Sequence, residues 1–404
     1  MDVFIARQPI FDREQAVTAY ELLYRNSELN AAVISDPERA TTEVFLNSFV
    51  ELGLERVLGG QRAFINTTRP LLLGRYPLPR SENPLTLEVL EDVAPDPDVI
   101  EAVRGLRQEG YQIALDDFIF YERLAPLVEL ADVIKIDIRQ LGPEAVREHV
   151  ARLRAYDGLT LLAEKVETPE EFEACRELGF DLFQGYFFCE PAILKGRGAS
   201  PSRLATMELL AQLNNPDFAF EELAKVIERD VGLSYKLLRF INSAYFNLPR
   251  RIESVIHALM MLGERNIRTW MNLVALSRID DKPHELLIGS LVRAKMGQQI
   301  AEATGREGIP DRCFLAGLLS AVDAFVDLPM AEVMASLSLA EDIEQGILHR
   351  AGPVGEVLEL VLRWERGEWE QTDTLGLGPT RVAEIYVESV DWAGTASRAM
   401  TGPE

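Results

Sequence analysis

Short apolar runs alternate with helix-spaced stretches through the first half of this chain, and this alternation limits the possible folds more than any other feature. Strand-like runs fall at 3–6, 16–24, 62–66, 85–90, 112–116, 133–137, 160–164 and 182–187. From the third onward they recur at roughly 20–30-residue intervals, with helical segments between them. Val99, Ile100, Val103 and Leu106 repeat at helical spacing, as do Val146, Val150 and Leu153. Eight strands separated by helices predict a closed, TIM-like α/β barrel rather than an open sheet. The second run follows the first after a short Asp12-Arg13-Glu14 turn. That predicts a hairpin, and one strand antiparallel to the rest.

The alternation stops near residue 192. The stretch 193–203 is small, polar and rich in Gly and Pro, and reads as a linker. From 204 to 395 the pattern is all-helical, with helices expected at 204–213, 220–229, 233–243, 254–262, 264–276, 284–303, 311–326, 330–337, 343–348 and 352–366. Residues 396–404 read as a frayed tail, and 1–192 as the barrel domain. The net charge of −24 repels a phosphate backbone, so no DNA binding is expected. No apolar run reaches the ~20 residues that span a bilayer. The first residues are too few and too acidic for a signal peptide. Three cysteines without metal-site spacing fit a reducing cytoplasm.

The run Gln112-Ile113-Ala114-Leu115 ends in Asp116 and Asp117. Neighbouring anions repel unless a cation sits between them. One or two hard divalent metals are the usual solution, and two suit phosphoryl chemistry. An isolated Asp-Asp is more often a turn or a helix cap. In a barrel, however, the active site forms at the C-terminal strand ends. Those ends carry Glu21 and Arg25, then Asn66, Glu88 with Glu91, the Asp pair, Lys135, Glu164 with Glu167, and Gln184. Polar groups in apolar strands are costly unless paired or metal-bound. Their recurrence strand after strand favours the metal reading.

The set resembles the EAL domain family, cyclic di-GMP phosphodiesterases with a barrel fold and two divalent metals. Arg7-Gln8-Pro9-Ile10 resembles its opening Q-P-I, and Glu21-Leu22-Leu23 its Glu-Ala-Leu, with Arg25 in the phosphate-contacting place. Asn66 matches a metal-ligand Asn; Glu88 and Glu91 match L-E-x-x-E, with Glu91 in loop support. Asp116 and Asp117 match D-D-F, Lys135 K-I-D, Glu164 and Glu167 E-G-V-E, and Gln184 Q-G-Y. The resemblance implies one Mg²⁺ or Mn²⁺ on Glu21, Asn66, Glu88 and Asp116, and a second held or oriented by Asp116, Asp117 and Glu164. It implies Glu21, Lys135 and Glu164 as catalytic residues, Lys135 placing the water. Gln8, Arg25, Glu167 and Gln184 would contact the ligand. Two departures stand out: Ile119–Leu124 replaces a glycine-rich loop, and Lys165 replaces the Gly of E-G-V-E.

Residues 209–277 resemble the HDOD family, a helical output module related to HD phosphohydrolases. The stretches Leu213-Asn214-Asn215-Pro216 and Ile241-Asn242-Ser243-Ala244 carry much of that likeness. Where HD enzymes have a metal-binding His-Asp, this chain has Ser320 and Ala321. His257 and His284 are expected in helix packing or on the surface. The combination resembles EAL–HDOD bacterial signalling proteins. It implies cyclic di-GMP as ligand, protein partners through the HDOD module, and a homodimer as in the barrel family. Two readings stand side by side: weak or conditional hydrolysis of cyclic di-GMP to pGpG, or an inactive barrel that works through ligand binding or protein contacts.

Overall fold

The computed structural model describes residues 3–26, 58–76, 78, 84–189, 201–215, 219–229, 231–242, 252, 254–277, 279, 282–337, 339–369 and 372–401. Two compact units divide the chain.

The first unit holds a closed barrel of eight strands in sequence order. They are β1 (Val3–Phe11), β2 (Val17–Asn26), β3 (Arg62–Thr67), β4 (Leu85–Val89), β5 (Gln112–Leu115), β6 (Val133–Asp137), β7 (Thr160–Glu164) and β8 (Leu182–Gln184). β1 is antiparallel to both β2 and β8, and all other pairs are parallel. The hairpin is closed by Asp12, whose N–H donates to the Ala16 carbonyl at 2.9 Å. β8 is shorter than its apolar run, because Phe187–Cys189 forms a 3-10 turn.

Barrel helices start where the sequence provides caps. Asp96 accepts from the N–H groups of Asp98 and Val99 ahead of Pro97–Gln108. Thr168 and Glu171 form a reciprocal capping box on Pro169–Leu178.

Ile10, Ala19, Phe64, Ala114, Val133 and Leu162 make one buried apolar layer, with Leu182 packed against it. Side chains alternate faces along a strand, so the next inward residue lies two positions on. Two positions along the parallel strands from that layer stand Glu21, Asn66, Asp116, Lys135, Glu164 and Gln184. β1 runs the other way, and its corresponding residue is Gln8, two before Ile10. The apolar layer is thus the floor on which the polar layer is built.

This unit also contains 363–374 and 378–387, from within the range expected to be helical domain. Trp364 and Trp369 both stack on Phe4, with centroids 5.6 and 5.4 Å away. The Trp364 indole donates to the Ile5 carbonyl at 2.9 Å, and the Tyr386 hydroxyl accepts from the Arg7 N–H at 3.1 Å. β8 pairs with β1 only at Ile10 and Phe11, so these side chains satisfy backbone groups that no strand reaches.

The second unit comprises 189–362, 375–377 and 388–404 and is helical where described. Its helices follow the expected spans, the break in Val255–Leu276 at Gly263 (φ 72°) falling between the expected 254–262 and 264–276 helices, with two differences. The expected 311–326 helix is two, Pro310–Leu319 and Val322–Val326. A helix at Pro379–Thr401, shared between the units, covers most of the stretch expected to fray. His284–Ala303 packs tightly on Pro310–Leu319: a Cβ on Gly317 would lie 2.5 Å from the Arg293 backbone. Ser320 donates to the Gly317 carbonyl at 2.8 Å and Ala321 is buried, so both places of the His-Asp pair serve packing. His257 is exposed, and the His284 ring meets the Ser397 hydroxyl at 2.9 Å. Among the described residues, no single helix is long and apolar enough to cross a membrane.

Candidate active site

The polar layer converges on Lys135. Its ammonium lies 2.7 Å from Glu88, 2.8 Å from Asp116, 3.0 Å from Glu164 and 3.2 Å from Glu21. Lys135 is only 1% exposed and Glu88 is fully enclosed. Gln184 extends the network, donating to Glu21 at 2.7 Å and to Gln8 at 2.9 Å. Asn66 sits beside Glu88 in the β3–β4 register. The ladder continues past β5: the Asp116 N–H donates to the Val89 carbonyl and the Phe118 N–H to the Lys135 carbonyl, each at 3.0 Å. These two bonds hold the Asp pair at the mouth, with Asp117 in the left-handed region at φ 41°.

The charges interact strongly. Burial alone would lower the Lys135 pKa, but Glu164, Glu21, Glu88 and Asp116 together hold it well above the usual lysine value. Burial, then repulsion from Glu21, pushes Glu88 well above the usual carboxylate range against the pull of Lys135. Burial pushes Glu164 up to about 8. Asp117 is raised by burial and then by Asp116.

Oxygen donors dominate the cluster, which suits a hard divalent ion. Among the described residues, Glu88 Oε2 and Glu164 Oε2 are buried without a hydrogen-bond partner. Glu88 Oε1 is within ion-pair distance of Lys135 yet misaligned for a hydrogen bond. Such uncommitted oxygens fit a metal. The acids as placed nevertheless close on the Lys135 ammonium, and among the described residues no three are drawn into a ligand arrangement.

The other expected site residues lie elsewhere. Glu91 is exposed in the turn after β4. Glu167 is half-exposed and pairs with Arg139 at 2.9 Å, away from the cluster. For Arg25 the side chain lies outside the described residues. Asp137, not singled out from the sequence, is buried at the end of β6 opposite Glu164 in register. Its lysine partner, Lys165, is 2.6 Å away. The K-I-D motif was the signal that could have found it. Gly185 fixes the turn after Gln184: its φ is 147°, and a Cβ there would lie 1.9 Å from the Val166 carbonyl.

A cavity of about 380 Å³ opens beside Asp116 and Asp117, walled by Val89, Val93, Ile119, Tyr121 and Leu124. The Ile119–Leu124 loop is held by contacts of its own residues. Phe120 packs under Arg152, 3.7 Å from ring centroid to guanidinium carbon. The Phe120 N–H donates to His149 Nε2 at 3.2 Å, while His149 Nδ1 meets the Ala145 carbonyl at 2.8 Å.

Known proteins match both halves. The EAL domain family matches residues 59–191 and the HDOD domain family residues 202–350. The Bacillus subtilis protein YuxH is 35% identical over 97% of this chain and 98% of its own length. The Vibrio cholerae cyclic di-GMP phosphodiesterase CdgJ is 35% identical over 98% of this chain and 93% of its own. This chain belongs to the EAL–HDOD family. The EAL match begins after β2, and Gln8 and Glu21, on the two strands before it, join the same polar layer. A solved structure of Klebsiella pneumoniae BlrP1 with manganese and cyclic di-GMP is also similar to the EAL half. It is 25% identical, covering 46% of this chain and 55% of that one, with a TM-score of 0.39.

Proposed function

We propose that the EAL barrel binds cyclic di-GMP at the C-terminal strand ends and hydrolyses it to linear pGpG. The observation that carries this reading is the buried polar layer of Glu21, Glu88, Asp116, Glu164 and Lys135, stacked directly on the apolar floor. Such a layer is costly for folding alone. The relationship to CdgJ supports the same substrate.

Glu21, Asn66, Glu88 and Asp116 would hold one Mg²⁺ or Mn²⁺, and Asp116, Asp117 and Glu164 a second. The ions would supply an activated water and neutralise charge on the phosphodiester. Lys135 holds the acids together and places a positive charge where the attacking oxygen needs orienting. Gln184 fixes Glu21 and Gln8. Water adds to phosphorus, the P–O3′ bond breaks, and the O3′ leaving group takes a proton, so one water opens the ring. Arg25, Glu167 and Glu91 would act at the ligand's periphery.

The HDOD module carries no His-Asp pair at Ser320-Ala321 and is read as the output surface for a protein partner, in the cytoplasm. A second reading, binding without turnover, is favoured by the rebuilt Ile119–Leu124 wall. Calorimetry with cyclic di-GMP and Mn²⁺ or Mg²⁺, on wild type and Glu21→Ala, tests the shared core of both. Binding that depends on the ions and is weakened by Glu21→Ala supports the site; no binding removes it.

A further inference from the structure

Lys165 follows Glu164 directly, where the EAL motif has glycine. Its φ is 57°, in the left-handed region that a glycine adopts freely and a residue with a β-carbon does not. A lysine kept there needs compensating contacts, and two are present. The Lys165 ammonium lies 2.6 Å from Asp137 Oδ2, and Arg139 Nε donates to the Lys165 carbonyl at 3.2 Å. Asp137 is buried, and its other oxygen accepts from the N–H groups of Arg139 and Gln140 at 2.8 and 3.0 Å. Lys165 therefore neutralises the carboxylate oxygen that the helix cap leaves over. It also attracts the Asp117 carboxylate electrostatically. The lysine side chain is 57% exposed, so it spans from solvent to the acids at the mouth.

We infer that Lys165 is a tethered counter-cation at the Asp117–Asp137 end of the acid cluster, and that it weakens divalent-ion binding there. The inference rests on the two-ion reading given above. A divalent ion arriving at Asp117 meets a positive charge already paired with its neighbour, and like charges at this range repel even when partly screened. The Asp117 end then loads later than the Glu88 side, and occupancy of the second position follows the divalent-ion concentration. Lys165 is a positioning residue in this scheme, acting through Asp137 and Asp117.

The test is a Mn²⁺ titration of the full chain without nucleotide, with free Mn²⁺ read by electron paramagnetic resonance. Lys165→Met and Lys165→Gly should tighten the weaker class of sites about tenfold, while Lys165→Arg should leave it within about twofold of wild type. Glycine relieves the backbone, and Met removes charge without relieving it. Equal behaviour of the two therefore assigns the effect to charge. Unchanged Mn²⁺ binding in Lys165→Met, with binding still lost in Glu88→Gln, overturns the inference and leaves the metal centre standing. Tightening in Lys165→Arg as large as in Lys165→Met also overturns it. No Mn²⁺ binding to any form overturns both the inference and the two-ion reading.

Discussion

Replacing Lys135 with Met keeps an unbranched side chain of similar length and removes one charge. The ammonium is 1% exposed and lies within 3.2 Å of four carboxylates. Removing one partner of a buried ion pair costs about 3–5 kcal/mol, because the other charge is left uncompensated. Here four acids lose the same partner, and they respond by taking up protons. Glu164 is already pushed up to about 8 by burial while the ammonium is present. An acid whose pKa is higher in the folded chain than in the unfolded one contributes stability below its unfolded value. That contribution is lost as pH rises through the folded value. For Glu164 the window runs from the ordinary carboxylate range, ~4.3, up to about 8. Lys135→Met should therefore lose about 3–5 kcal/mol at pH above this window and markedly less near its lower edge. Urea unfolding of the full chain in chelator, followed by tryptophan fluorescence at about pH 8.5 and about pH 5, measures both. A variant within ~1 kcal/mol of wild type at the higher pH refutes the charge balance assigned to Lys135.

Further outcomes follow from single contacts. Glu88→Gln removes a buried carboxylate 2.7 Å from the Lys135 ammonium and should weaken Mn²⁺ binding in the electron paramagnetic resonance titration. The same change should abolish turnover. Gly185→Ala forces a Cβ to 1.9 Å from the Val166 carbonyl. It should destabilise by about 3 kcal/mol or more, or yield insoluble protein. Trp364→Phe keeps the stack on Phe4 but removes the donor to the buried Ile5 carbonyl. Its expected cost is about 1–3 kcal/mol in urea unfolding. Glu167→Ala breaks a half-exposed pair with Arg139 and should change stability by under ~1 kcal/mol.

Much of the barrel was legible because strand periodicity is short-range. The runs ending at Asn66, Asp137 and Glu164 fall within a residue of the observed strand ends. The period of two then sends Glu21, Asp116, Lys135 and Glu164 inward together. The motifs group Glu91 and Glu167 with their neighbours, but both lie beyond the last strand residue, where the turn carries them to the rim. The positive φ of Lys165 is a tertiary requirement that a lysine codon does not announce. The packing of Trp364 on Phe4 joins opposite ends of the chain, and no local pattern reports it. The helix at Pro379–Thr401 has no counterpart among the expected helices, and its last turns run into the stretch 396–404 that reads as a frayed tail.

The decisive measurement is chromatography of nucleotide products after the full chain is incubated with cyclic di-GMP and Mn²⁺. Linear pGpG should accumulate with wild type and be absent with Glu88→Gln and with chelator. Cyclic di-GMP recovered intact with wild type, under ion concentrations that saturate the Mn²⁺ titration, would contradict hydrolysis at this site.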